Sequence, residues 1–207
     1  MAYVDLIGAI HRSTPRDYLK ERVLGVDKAA CAEIAKRFDK DYWDGDRKYS
    51  YGGYRYDGRW HKLAQDLVDR YGLKPGHKVL DIGCGSGAIA VSIAKYAQNT
   101  FIIATDTSER AIKISKQNSQ NHGVQEKITF YQGNLFEPIP SGSKFDIIVS
   151  NPPYIPSNEI NNLQIEIKDF EPITALDGGS DGLDFYVKII SQAADYLKQG
   201  GLMLFEI

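Results

Sequence analysis

Three glycines at alternate positions, Gly83, Gly85 and Gly87, sit in the stretch VLDIGCGSGAIA, residues 79–90, where an apolar run passes into helical spacing. Glycine permits a tight turn and a close approach of backbone to ligand, beside the positive end of a helix. Asp106 closes the next apolar run about 20 residues on, where a carboxylate can accept both hydroxyls of an adenosine ribose. The rival reading of Asp106 is an acid favoured by the start of the following helix. Asn134, with Leu135, follows a third apolar run, and its amide suits either the edge of an adenine or an ordinary turn. Together these residues predict an adenosine site. They do not choose the cofactor, because the stretch also satisfies the dinucleotide pattern G-x-G-x-x-G/A, with Ala88 last.

A second group is SNPPYIP, Ser150 to Pro156, directly after the apolar run FDIIV, residues 145–149. Prolines end strands because they lack a ladder donor, so the plain reading is a strand stop. Any polar turn would serve that purpose. An amide, two prolines and an aromatic placed beside the adenosine crevice suggest a chemical role instead.

These groups need a scaffold that gathers strand ends, and the pattern from Lys78 onward supplies one. Strands are predicted over 78–83, 101–105, 127–131 and 145–149, with helices over 88–97 and from the cap Ser108 towards His122. A helix over about 183–197 then leads through Gly200-Gly201 into a fifth strand, 202–207. Apolar strands separated by helices imply parallel pairing with both faces covered, a doubly wound α/β sheet. Its ligands bind at the carboxyl ends of the strands. Residues 1–75 differ in texture and are expected to be a helical, Tyr- and Gly-rich N-terminal extension, with 76–207 as the cofactor-binding domain. Within the extension, 27–38 has helical spacing. The segment DYWDGDRKYSYGGYRYDGRW, 41–60, is either an irregular surface loop or a lid whose rings close over a flat ligand.

At 207 residues the chain can bury a substantial core, and 43% hydrophobic with 25% charged residues is ordinary for a globular protein. A net charge of −2 offers no basic face, so nucleic acid is not the expected partner. No apolar run reaches the roughly 20 residues of a membrane span, and the start lacks the features of a secretory leader. Cys31 and Cys84 form no disulfide framework, and neither makes a metal-ligand pair with the four scattered histidines. A reducing cytoplasm and no metal are expected.

DIGCGSGAIAVSIAK, ATDTSERAI and NPPY together resemble class I S-adenosylmethionine-dependent methyltransferases. More narrowly, residues 79–207 resemble the release-factor glutamine methyltransferases (HemK/PrmC type), through QGNLFEP, IIVSNPPYIP, FEPITALDGGSDGLDFY and GGLMLFEI. NPPY alone is shared by enzymes acting on DNA bases, RNA bases or protein glutamines. The continuation through Phe170-Glu171-Pro172 and Ala175-Leu176-Asp177-Gly178-Gly179 is far more specific to the glutamine group. The resemblance implies a Rossmann-like, mostly parallel sheet of order 3-2-1-4-5, S-adenosyl-L-methionine as cofactor, and a peptide-chain release factor, with its Gly-Gly-Gln loop, as protein substrate. It implies that Asp81, Gly83, Gly85, Gly87, Asp106, Asn134, Leu135 and Asn151 hold the cofactor. Asn151, Pro152 and Tyr154 are then the catalytic residues, and with Pro153 they bind the acceptor.

The chemistry of such an acceptor accounts for those residue types. An amide nitrogen is a poor nucleophile because its lone pair is delocalised. Two acceptors aimed at its N–H groups, the Asn151 side-chain oxygen and the Pro152 carbonyl, favour a pyramidal nitrogen with the lone pair facing the methyl. Pro153 restricts the residue before it and so fixes the direction of that carbonyl. Tyr154 can pack on the flat acceptor group. Orientation is the expected source of rate, and no strong general base is needed.

Two departures from the family pattern bear on function. Residues 1–80, with RSTPRDYL, DKAACAEIAKRFDKDYWDGD and YGGYRYDGRW, are similar instead to the leader of another class I methyltransferase group. The two resemblances meet near 81–87, as in a natural recombinant or a chimera. The chain also stops within strand five, before the two strands that usually follow, so an exposed strand-five edge and self-association through it are expected. Alternatives to the glutamine reading are a small-molecule or nucleic-acid amine acceptor, an inactive cofactor-binding scaffold, or a nicotinamide oxidoreductase. The last leaves NPPY without a role.

Overall fold

The computed structural model describes residues 68–97, 99–163, 165–168 and 171–206. The helix expected over 27–38 and the Tyr-rich segment 41–60 lie outside them. Five strands, β1 (Lys78–Ile82), β2 (Phe101–Asp106), β3 (Ile128–Gln132), β4 (Phe145–Ser150) and β5 (Leu197–Phe205), form one sheet. Its order is β3-β2-β1-β4-β5, and every neighbouring pair is parallel. The doubly wound arrangement expected from the apolar strands is thus observed, with β5 at one edge.

Helices α1 (Ala88–Tyr96) and α2 (Glu109–Asn121) follow β1 and β2, β3 leads by a loop to β4, and α3 (Asp184–Ala193) precedes β5. Successive strand residues point to opposite faces, so each central strand feeds two cores. Val79, Ile102 and Ile147 pack with Ala90, Val91 and Ile112 on the side of α1 and α2. Leu80, Ile148 and Phe145 pack with Phe136, Ile189 and Ala193 on the side of α3. Ser108 caps α2 by accepting the Ala111 N–H at 3.2 Å, as its position predicts. Among the described residues no helix is long and apolar enough to cross a membrane.

The last helix and strand differ from the sequence expectation. Helix α3 ends at Ala193 rather than Leu197, and Gly200-Gly201 lie inside β5 rather than before it. Tyr196 lies three residues past the helix end. Its ring stacks on Phe136 with centroids 4.5 Å apart, and its carbonyl accepts the Phe145 N–H at 2.8 Å. The glycine pair makes a bulge, because the β4–β5 register jumps from Phe145↔Leu197 to Ile147↔Leu202. Gly200 has φ +78°, which suits the extra residues. Asp146 is opposite the bulge, where its carboxylate takes the Lys198 ammonium at 2.8 Å and the Lys78 N–H at 2.7 Å.

Gly87 sets the distance between α1 and α2. It caps α1 at φ +81°, and an added Cβ would lie 2.8 Å from Ser115 Cβ on α2. Gly123, at φ +67°, has open space instead. Gly123→Ala is therefore expected to cost only backbone strain, about 1 kcal/mol, while Gly87→Ala adds overpacking of about 1–3 kcal/mol. Urea unfolding of the two variants checks the difference.

Candidate functional site

At the carboxyl edge of the sheet, register fixes which loops are neighbours. Ile82 on β1 is level with Thr105 on β2 and with Ser150 on β4, and Ser150 is level with Phe205 on β5. The glycine loop, Asp106 and the SNPPYIP turn therefore leave the sheet side by side. Ser150 reinforces this by donating its hydroxyl to the Ile82 carbonyl at 2.7 Å. The sequence singled out Ser150 only as the end of a strand.

The glycine loop is held from below by β2. The N–H groups of Gly83 and Cys84 both donate to the Thr105 carbonyl, at 2.8 and 2.9 Å. Gly83 and Gly85 have φ of +71° and +53°, and a Cβ on either would point into open space. The loop thus offers an unobstructed backbone surface at the start of α1. Asp106 tightens it: one carboxylate oxygen accepts the Gly85 N–H at 2.9 Å and the other the Ser108 N–H at 2.8 Å. The helix-start and ligand-facing readings of Asp106 are compatible, since each oxygen keeps a second lone pair.

Asp81 is fully buried, and its Oδ2 accepts the Ala90 N–H at 3.0 Å. Its Oδ1 has no hydrogen-bond partner. Desolvation, opposed by the Ala90 N–H and aided by the charge of Asp106, raises its pKa from 3.8 to about 7. The folded state therefore keeps a proton that the unfolded chain releases near 3.8, and binds more protons throughout the window between. Stability falls as pH rises from about 4 to about 7, and this group's cost is complete above that, on the order of 4 kcal/mol. Thermal melts at pH 5 and pH 8 should show a larger loss for the ligand-free wild type than for Asp81→Asn.

Leu135 and Asn134 part company. Leu135 has φ +48°, rare outside glycine, and its carbonyl accepts the Thr105 hydroxyl at 3.2 Å. That bond ties the loop after β3 to the end of β2. Within its own loop, Asn134 Nδ2 donates to Glu137 Oε1 at 3.1 Å. Cys84, beside the glycines, is a buried free thiol, and burial pushes its pKa well above the ordinary thiol range. Among the described residues no group of three or more His, Cys, Asp or Glu could hold a metal ion.

The turn after β4 presents Asn151 and Tyr154 outward, Tyr154 being 49% exposed, while Pro152 is buried beneath them. Beyond it the chain pairs with a segment whose role the sequence did not reveal. Ile155 bridges to Asp177, with the Ile155 N–H donating to the Leu176 carbonyl at 3.0 Å and the Gly178 N–H to the Ile155 carbonyl at 2.9 Å. Gly178 and Gly182 underlie Tyr154, where a Cβ on either would overlap its backbone. Tyr186 also borders the turn. Its hydroxyl donates to the Glu206 carbonyl at 3.1 Å, and burial with the nearby Tyr154 and Glu206 raises its pKa. The glycine spacing of LDGGSDGLD was the available signal, but it names no partner segment.

The strand ends thus bring together an open glycine loop, the Asp106 carboxylate and a polar, proline-braced turn. Comparisons with known proteins agree with this arrangement. The family model for the methyltransferase small domain matches residues 59–167. A release factor glutamine methyltransferase from Clostridium acetobutylicum is 47% identical over 146 residues, 70% of this chain and 51% of that protein. Its counterpart from Geobacter sulfurreducens is 46% identical over 129 residues, 62% and 44% of the two chains. The chain thus spans about half the length of these curated relatives. A solved methyltransferase structure from Galdieria sulphuraria shares the fold, with a TM-score of 0.50 at 17% identity over 84% of this chain and 58% of that one. The chain belongs to the methyltransferase small domain family.

Proposed function

We propose that this chain binds S-adenosylmethionine and transfers its methyl group to the side-chain amide nitrogen of a glutamine in a peptide-chain release factor. The observation that carries the reading is the juxtaposition of two loops: Asn151 leaves β4 directly beside the glycine loop leaving β1, in register and bonded through Ser150. The names of the relatives support the acceptor, over the part of their length that this chain spans.

The residues present fit the cofactor. Gly83 and Gly85 give a surface that no Cβ obstructs, Asp106 faces the same loop, and the orphaned Oδ1 of Asp81 is an acceptor awaiting a donor such as an ammonium group. When bound, S-adenosylmethionine supplies a methyl on a sulfonium, which departs as a neutral thioether as the new N–C bond forms. Asn151 Oδ1 and the Pro152 carbonyl accept from the amide N–H groups of the acceptor and aim its lone pair. The two prolines keep that carbonyl in place, and exposed Tyr154 packs on the flat amide. The surplus proton leaves to water, so these residues act by orientation alone.

Calorimetric titration with S-adenosylmethionine, using NAD as control, tests the cofactor. Selective binding of the sulfonium compound is expected. Binding of NAD instead, or of neither, would remove the reading.

A further inference from the structure

The proposed reaction depends on where Asn151 and Pro152 point, and the structure shows what holds them. At one end the turn is pinned at Ser150, whose hydroxyl donates to the Ile82 carbonyl and whose own carbonyl accepts the Glu206 N–H at 3.1 Å. At the other it is pinned at Ile155 by the bridge to Asp177. Only 151–154 span the gap, and two of those residues are prolines with fixed φ.

The second anchor is itself locked by side chains. Asp177 Oδ1 accepts the Ser157 hydroxyl at 2.6 Å and the Gly179 N–H at 2.9 Å, while the Ser157 N–H donates to the Gly179 carbonyl at 2.9 Å. These bonds fasten 155–157 to 176–179 from both directions. The Gly178 carbonyl accepts the Asp184 N–H at 3.0 Å, so the clamp is continuous with the first turn of α3. Gly178 and Gly182 leave no room for a Cβ under Tyr154, which seats the turn from below. The Ser157 hydroxyl also holds the Asp177 carboxyl below its usual pKa, followed by the Gly179 N–H, consistent with bonds made to the ionised form.

We propose that Asp177 and Ser157 form a latch that positions the 151–154 turn, fixing the acceptor side of the site without touching the acceptor or the cofactor. This rests on the reading of Asn151 and Pro152 as amide-orienting groups. Misplacement of such groups by about 1 Å is expected to cost rate on the order of 100-fold, with little effect on cofactor affinity.

The test combines single-turnover methylation of a release factor, S-adenosylmethionine affinity and amide hydrogen exchange. Asp177→Ala should lower the rate roughly 10- to 100-fold at unchanged cofactor affinity, and speed exchange at Ile155, Ser157 and Gly178 but not in β1. Asp177→Asn, which keeps an oxygen at Oδ1, and Ser157→Thr, which keeps the hydroxyl, should stay near wild type. Should Asp177→Ala fail to fold, Ser157→Ala removes only the donor and must show the same pattern. A wild-type rate with unchanged exchange overturns the latch. Absence of methylation by the wild-type protein overturns the proposed acceptor instead, and the exchange data then judge the latch by themselves.

Discussion

Asn151→Ala is expected to cripple methyl transfer, lowering the rate by roughly 10²–10⁴-fold, while affinity for S-adenosylmethionine changes little. The side chain is exposed at the end of β4 and contributes nothing to either core, so its loss should not unfold the domain. What it removes is one of the two proposed acceptors for the amide N–H groups. The second, the Pro152 carbonyl, belongs to the backbone and survives. Residual transfer by the variant is therefore expected to be slow rather than absent, and a single-turnover assay at saturating cofactor measures it. Equal activity in Asn151→Ala would remove the proposed role of the motif.

Asp106→Ala should act on the other half of the site, weakening S-adenosylmethionine by about 100-fold or ~3 kcal/mol. Two losses combine there. The ribose would lose its proposed acceptor, and the Gly85 and Ser108 N–H groups would lose the carboxylate that now orders both loops. Asp106→Asn is expected to be almost as damaging. One of its two terminal atoms is a donor, so it cannot accept from both N–H groups at once. Calorimetry on both variants, with the rate at saturating cofactor as a second readout, separates this binding defect from the rate defect of Asn151→Ala.

The parts of this architecture legible in the sequence are those governed by local pattern. The apolar runs of β1, β2 and β4 are buried on both faces and announced parallel pairing. Ser108 announced its helix. The alternate glycines announced their loop, with positive φ at all three positions. Features set by chain-distant contacts were not legible. Helix α3 stops at Ala193, and Tyr196 beyond it stacks on Phe136, a contact that no periodicity records. Gly200-Gly201 look like a turn, but wrap as a bulge opposite Asp146. Asp177 belonged to a stretch known by resemblance, yet its attachment to Ile155 and Ser157 emerges only when the segments pair.

The most direct test of the central claim is peptide mass spectrometry of a purified release factor incubated with this protein and S-adenosylmethionine. One added methyl is expected on the glutamine of the Gly-Gly-Gln loop, absent when the protein or the cofactor is left out. Selective binding of S-adenosylmethionine with that glutamine left unmodified would contradict it, leaving the SNPPY turn to another acceptor or to none.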